Sequence, residues 1–203
     1  MSALPKAKMN ADEFLAWAEG QEGRLELYDG AVVAMPPERV THNSAKGQVF
    51  RALWSAVERV GARCRVHVEG LGVRVGAGNV FEPDALVVCG PPPPGDALEI
   101  NDPVIVVEVV SPSTAAIDRG LKFEGYFSLP SVEHYLILDP ERRVVIHHKR
   151  GQGDIIETRI LSEGMVRLDP PGIEAPVAEM FPPARAQPPG ADPQARSSIR
   201  TGT

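Results

Sequence analysis

Cysteine is scarce in this chain: Cys64 and Cys89 stand far apart and form no C-x-x-C pair. The sequence therefore suggests neither a disulfide framework nor a zinc knuckle, and a reducing cytoplasm fits. Long apolar runs are also missing. None reaches the roughly 18 residues a membrane span needs, and the first residues lack the charged, apolar and small-residue sections of a secretory signal. A soluble, cytoplasmic protein with no membrane partner is expected. Positive charge is the third shortage. Lys and Arg number 21 against 27 Asp and Glu, a formal net charge of −6. That argues against a sequence-blind grip on nucleic acid unless a bound divalent cation neutralises some of the acids locally.

What is present is enough for one domain. Of the 203 residues, 1–9 show no apolar period and are expected to be flexible, and 10–181 read as a single folded unit. Residues 182–203 are Pro, Ala, Gly, Arg and Ser with almost nothing to bury, the composition of a disordered tail. The centre of the chain is Val104-Ile-Val-Val-Glu-Val-Val110, in which six of seven residues are β-branched. Bounded by Pro103 and Ser111-Pro112, it predicts a central strand covered on both faces. Glu108 inside it requires a partner, because an unpaired buried carboxylate costs several kcal/mol. Asp84, at the mouth of another apolar run, and Lys122, on the helix that follows, are the candidates. Two carboxylates and a lysine at a sheet edge suit metal-dependent hydrolysis.

Taken in order, Asn10-Ala-Asp-Glu13 has the spacing of a capping box and opens a short helix to about residue 19. Residues 24–35 form a hairpin turning at Asp29-Gly30. Strict alternation puts Glu26 opposite Leu25 and Leu27, where a solvated strand acid is the bland account of it and a site member the other. Thr41 can cap a long helix in which Val49, Leu53, Trp54, Val57 and Val60 recur at helical spacing up to Gly61. Strands are expected over 64–69, 71–75 and 80–88. The last contains Pro83-Asp84, which taken alone is equally an acid at a Pro-fixed strand entrance. A helix from about 115 to 127, capped from 111–114 and weakened by Gly120 and Gly125, carries Asp118, Lys122 and Tyr126 on one face; a solvated ion pair is the bland account of the first two. Strands over 133–138, 144–148 and 155–161 extend the sheet. His147 and His148 are adjacent in a strand and face opposite ways, which disfavours a shared metal.

This order of elements is that of an α/β fold with a mixed sheet. Arg24-Leu-Glu-Leu-Tyr-Asp-Gly30, His42, Pro83-Asp84, Glu108-Val-Val-Ser-Pro-Ser-Thr114, Asp118, Lys122, Tyr126 and Tyr135 through Asp139-Pro140 together resemble the Uma-two family of restriction endonucleases, within the PD-(D/E)xK nuclease superfamily. The resemblance covers about 10–181. It implies a restriction-endonuclease-like core (αβββαβ) with a mixed central sheet, preceded by a helix and β-hairpin and followed by C-terminal β extensions. It also implies Asp84 and Glu108 as ligands of Mg²⁺ or Mn²⁺, joined by the Val109 carbonyl, and an endonuclease cleaving nucleic acid, DNA foremost. Val110 stands where the superfamily has its lysine, and Lys122 is the family's substitute. Glu26 and His42 match further family positions, and the resemblance implies both as candidate catalytic residues beside Asp84, Glu108 and Lys122. By analogy with enzymes that cut both strands of a duplex, a homodimer is expected. Two alternatives stand beside this: a non-catalytic binding or assembly protein on the same fold, and a hydrolase of a smaller phosphoester.

Overall fold

In the computed structural model, which describes residues 4–110, 117 and 120–183, Asn10 caps α1 (Ala11–Ala18) as its spacing predicts. Its side chain accepts from the Glu13 N–H at 3.0 Å, and the Glu13 carboxylate accepts from the Asn10 N–H at 2.9 Å. β1 (Leu25–Tyr28) and β2 (Ala31–Ala34) follow as the expected hairpin. Asp29 and Gly30 turn it with φ of 46° and 79°, the left-handed pair this tight turn requires. After α2 (Val40–Val60) come β3 (Cys64–Val68), β4 (Val73–Val75), β5 (Asn79–Phe81), β6 (Ala85–Cys89) and β7 (Pro103–Val109). Then α3 (Leu121–Ser128) precedes β8 (His134–Asp139), β9 (Val144–Arg150), β10 (Ile156–Leu161), β11 (Met165–Leu168), β12 (Ile173–Pro176) and a 3-10 turn, Val177–Met180.

The main sheet has the order β10-β9-β8-β7-β6-β3, with only β7 and β8 parallel. α2, β3, β6, β7, α3 and β8 thus supply the αβββαβ core, and β9 with β10 extends the sheet as expected. Alternation along β7 decides the layers. Ile105, Val107 and Val109 face α2 and the C-terminal elements, while Val106 and Val110 face α3 and the smaller sheet β2-β1-β5-β4. Gly125 permits the second contact. A Cβ there would lie 2.8 Å from Phe81 and 3.1 Å from Val75, so the glycine that weakens α3 is also what lets it approach β4 and β5.

Several expectations are corrected. The run 80–88 is not one strand: Glu82-Pro83-Asp84 breaks it, and β5 and β6 belong to different sheets. Thr41 does not cap α2, which begins behind Arg39 with no side-chain cap. Trp54 and Val60 are exposed, while Lys46 takes a place on the buried stripe with Val49, Leu53 and Val57. Cys64 and Cys89 are joined by a disulfide, because the antiparallel pairing of β3 with β6 sets them directly opposite each other. Sequence separation concealed that neighbourhood. The first part of the helix expected over about 115–127, its capping stretch 111–114, Asp118, and most of the C-terminal tail lie outside the described residues. Among the described residues no helix is long and apolar enough to cross a membrane.

His147 and His148 do face opposite ways. His148 packs on Phe123 and Tyr135, whereas His147 is buried against His134. His134 Nε2 donates to the Pro170 carbonyl at 2.9 Å, so its Nδ1 accepts from His147 Nε2, also at 2.9 Å. Burial first, and then neighbouring cations, lower His134 to about 4 and His147 to about 3 from 6.5. The native state therefore binds fewer protons than the unfolded chain below pH 6.5, and stability must fall as the pH drops toward 4 and 3. Urea denaturation at pH 7 and pH 4.5 checks this through His147→Gln, whose stability should depend less on pH than the wild type's.

Candidate active site

Asp84 and Glu108 meet at one end of the main sheet because the β6–β7 register pairs Ala85 with Val107. The Asp84 N–H donates to the Val107 carbonyl at 3.0 Å, and Asp84 Oδ2 accepts from the Val109 N–H at 2.6 Å. Asp84 thereby grips β7 on both sides of Glu108. Each carboxylate is only 4% exposed, so Asp84 is more than a solvated acid at a strand entrance.

Glu108 is approached from α3. Lys122 Nζ and the Tyr126 hydroxyl both donate to Glu108 Oε1 at 2.9 Å, as expected of residues one helical turn apart. Lys122 is 2% exposed, which removes the surface ion-pair account of it. Its Nζ also lies 2.9 Å from Glu26 Oε1. The bland account of Glu26 as a solvated acid is likewise removed: it is fully buried, because α3 and the main sheet cover its face of β1. Glu26 accepts from the Glu82 N–H at 2.7 Å and from the Tyr28 hydroxyl. Burial, with Glu26 adding to it and Lys122 opposing, pushes the Tyr28 phenol well up; burial and then Glu108 do the same to Tyr126. Both remain O–H donors at neutral pH.

Asp84 is approached from the opposite layer. Lys46 Nζ lies 2.6 Å from Asp84 Oδ1 and 2.5 Å from Glu69 Oε2, and it also contacts Glu38 Oε1. Arg24 reaches the same acids, with Nε donating to Glu82 at 2.8 Å and its other nitrogens near Glu38, Glu69 and Asp84. Burial works against the Arg24 charge, but Glu82, Glu69 and Asp84 outweigh it and raise the guanidinium pKa. His42 Nε2 donates to the Val109 carbonyl and lies 3.9 Å from Asp84 Oδ2. His42 Nδ1 is buried without a hydrogen-bond partner, 3.5 Å from Glu38 Oε2.

The sequence-predicted residues therefore converge. Asp84, Glu108, Lys122, His42 and Val109 line one cleft of about 210 Å³, with Arg24, Glu38 and Arg39 at its walls, while Glu26 lies beneath Lys122. Sequence reasoning missed Lys46, Glu38, Glu69 and Glu82. The one available signal was Lys46 itself, placed three and seven residues before Val49 and Leu53 on an otherwise apolar stripe.

The donor set fits a hard divalent cation. Asp84 and Glu108 offer only oxygen, and the Val109 carbonyl keeps a second lone pair beside the one His42 uses. Six carboxylates (Glu26, Glu38, Glu69, Glu82, Asp84 and Glu108) face three fixed cations (Arg24, Lys46 and Lys122), a deficit that a divalent ion would reduce.

Comparison with known proteins gives the family and the fold. A family model described as "Uma2: Putative restriction endonuclease" matches residues 11–178. An uncharacterized protein of Synechocystis sp. is 31% identical over 154 residues, covering 75% of this chain and 80% of its own length. A second uncharacterized Synechocystis protein is 23% identical over 159 residues, covering 76% and 89% respectively. The fold is similar to that of a solved protein of Anabaena variabilis, described as "a putative nuclease belonging to DUF820". Its TM-score is 0.65 at 15% identity, over 85% of this chain and 97% of that one.

Proposed function

Since this chain belongs to the Uma2 family of putative restriction endonucleases, we propose that it is a Mg²⁺-dependent endonuclease hydrolysing phosphodiester bonds, in DNA foremost. The observation that carries the reading is the convergence of Asp84, Glu108 and Lys122 on one cleft from three separate elements. Asp84 and Glu108 would hold the ion, with the Val109 carbonyl beside them. A bound Mg²⁺ supplies Lewis-acid charge on a phosphate oxygen and lowers the pKa of a water. The chain's own groups do the rest. The Val109 N–H fixes the Asp84 carboxylate, and Tyr126 fixes that of Glu108. Lys122 carries a positive charge toward the cleft, where it orients the attacking water or stabilises charge developing on the phosphate. Glu26 holds the lysine in place from below.

A second reading has its own observation. The net charge is −6, and both buried lysines are already paired with carboxylates, which suits a non-catalytic protein whose cluster only holds the fold. Plasmid nicking separates the two. Wild-type protein is expected to nick supercoiled DNA with Mg²⁺ or Mn²⁺ and to stop in EDTA. Absence of cleavage on duplex DNA, single-stranded DNA and RNA with either ion would leave the non-catalytic reading standing.

A further inference from the structure

Lys46 is the buried charge for which the proposed chemistry has no use. It is 2% exposed on the stripe of α2 that faces the sheet, and its ammonium meets Asp84, Glu69 and Glu38. Three donors meet three carboxylates, so the group is used to capacity. The acids come from different segments: Glu38 from the approach to α2, Glu69 from the end of β3, and Asp84 from the entrance to β6. One oxygen from each lies within 4.8 Å of the other two. The ammonium is thus held in a corner made of carboxylates.

We infer that Lys46 is a positioning residue for Asp84 and the buried cation at the centre of this corner, with Arg24 at its edge. It fills the space among Glu38, Glu69 and Asp84, closes that space to a divalent ion, and leaves Asp84 to share a single ion with Glu108. Asp84 is then divided between two tasks. Oδ1 is committed to Lys46, while Oδ2, steadied by the Val109 N–H, lies on the side of β7 and His42. The single ion rests on the nuclease reading of the previous subsection. The occupancy of the corner by Lys46 does not.

The experiment is a calorimetric Mn²⁺ titration, paired with melting curves in EDTA and in Mn²⁺, on the full chain. The wild type is expected to bind one ion and Lys46→Ala two. Lys46→Arg, which keeps a cation in the corner, is expected to bind one. In Lys46→Ala combined with Glu108→Gln, the gained ion should persist, because Glu38, Glu69 and Asp84 are all retained. Lys46→Ala should also melt lower than the wild type in EDTA and recover in Mn²⁺ by a larger shift than the wild type shows. Lys46→Met, which keeps most of the buried stem, serves as the second variant. If neither variant binds more Mn²⁺ than the wild type, or neither folds even in Mn²⁺, the inference is overturned. A wild type that binds no ion while Lys46→Ala binds one would remove the nuclease reading and keep the role of Lys46.

Discussion

Replacing Lys122 with methionine is expected to lower the stability of the metal-free protein by about 3–5 kcal/mol, the typical cost of stranding a buried charge. The reason is Glu26. That carboxylate is fully buried, its cation is Lys122 at 2.9 Å, and its other partners, the Tyr28 hydroxyl and the Glu82 N–H, are neutral donors. Methionine fills the space of the stem but leaves the carboxylate with no counter-charge. Glu108→Gln should be far milder. The amide oxygen can still accept from Lys122 and Tyr126, and Lys122 keeps Glu26. Urea denaturation in EDTA measures both, with the difference expected in the midpoint and not in the slope. A Lys122→Met midpoint within experimental error of the wild type would show that Lys122 is not the charge that holds Glu26 inside.

The largest effect on activity is expected from Asp84→Asn and Glu108→Gln, each lowering metal-dependent cleavage by about 10³-fold or more. These changes remove charge from the oxygen donors while preserving shape. Stability should be little changed. In Asp84→Asn the Lys46 ammonium retains Glu38 and Glu69, and in Glu108→Gln the amide keeps its place against α3. A carboxylate removed from a crowded acidic site also relieves repulsion when no cation is bound. A purely structural cluster gives the opposite pattern, with stability lost and no cleavage to lose. Rates from plasmid nicking, read beside melting curves of the same samples, distinguish the two.

How much of this was legible in the sequence depends on the range of the signal. β7 was plain, because a β-branched run between two prolines has few other uses, and the capping box of α1 and the Asp29-Gly30 hairpin rest on contacts within a few residues. Asp84 and Glu108 stand out as candidates because each breaks or borders an apolar run, and Lys122 because it follows on the next helix at the position the family resemblance marks; the structure brings all three to one cleft. For Glu26 alternation leaves a solvated acid open, and only the family resemblance marks the position. Alternation gives two faces but not what covers them, and the second face of β1 is covered by α3. Glu38, Glu69 and Glu82 are ordinary loop acids until the fold places them around Arg24 and Lys46. The Cys64–Cys89 bond and the break between β5 and β6 are likewise consequences of which strands pair, information that no local window carries.

The most direct test of the proposed metal centre is the position of a bound ion. Crystals grown or soaked with Mn²⁺ and measured for anomalous scattering should show a single peak bridging Asp84 and Glu108. The same experiment on Glu108→Gln should show none. A wild-type crystal with no anomalous peak at that position under saturating Mn²⁺, or with a peak among Glu38, Glu69 and Asp84 and Lys46 displaced from them, would contradict the one-ion site described here.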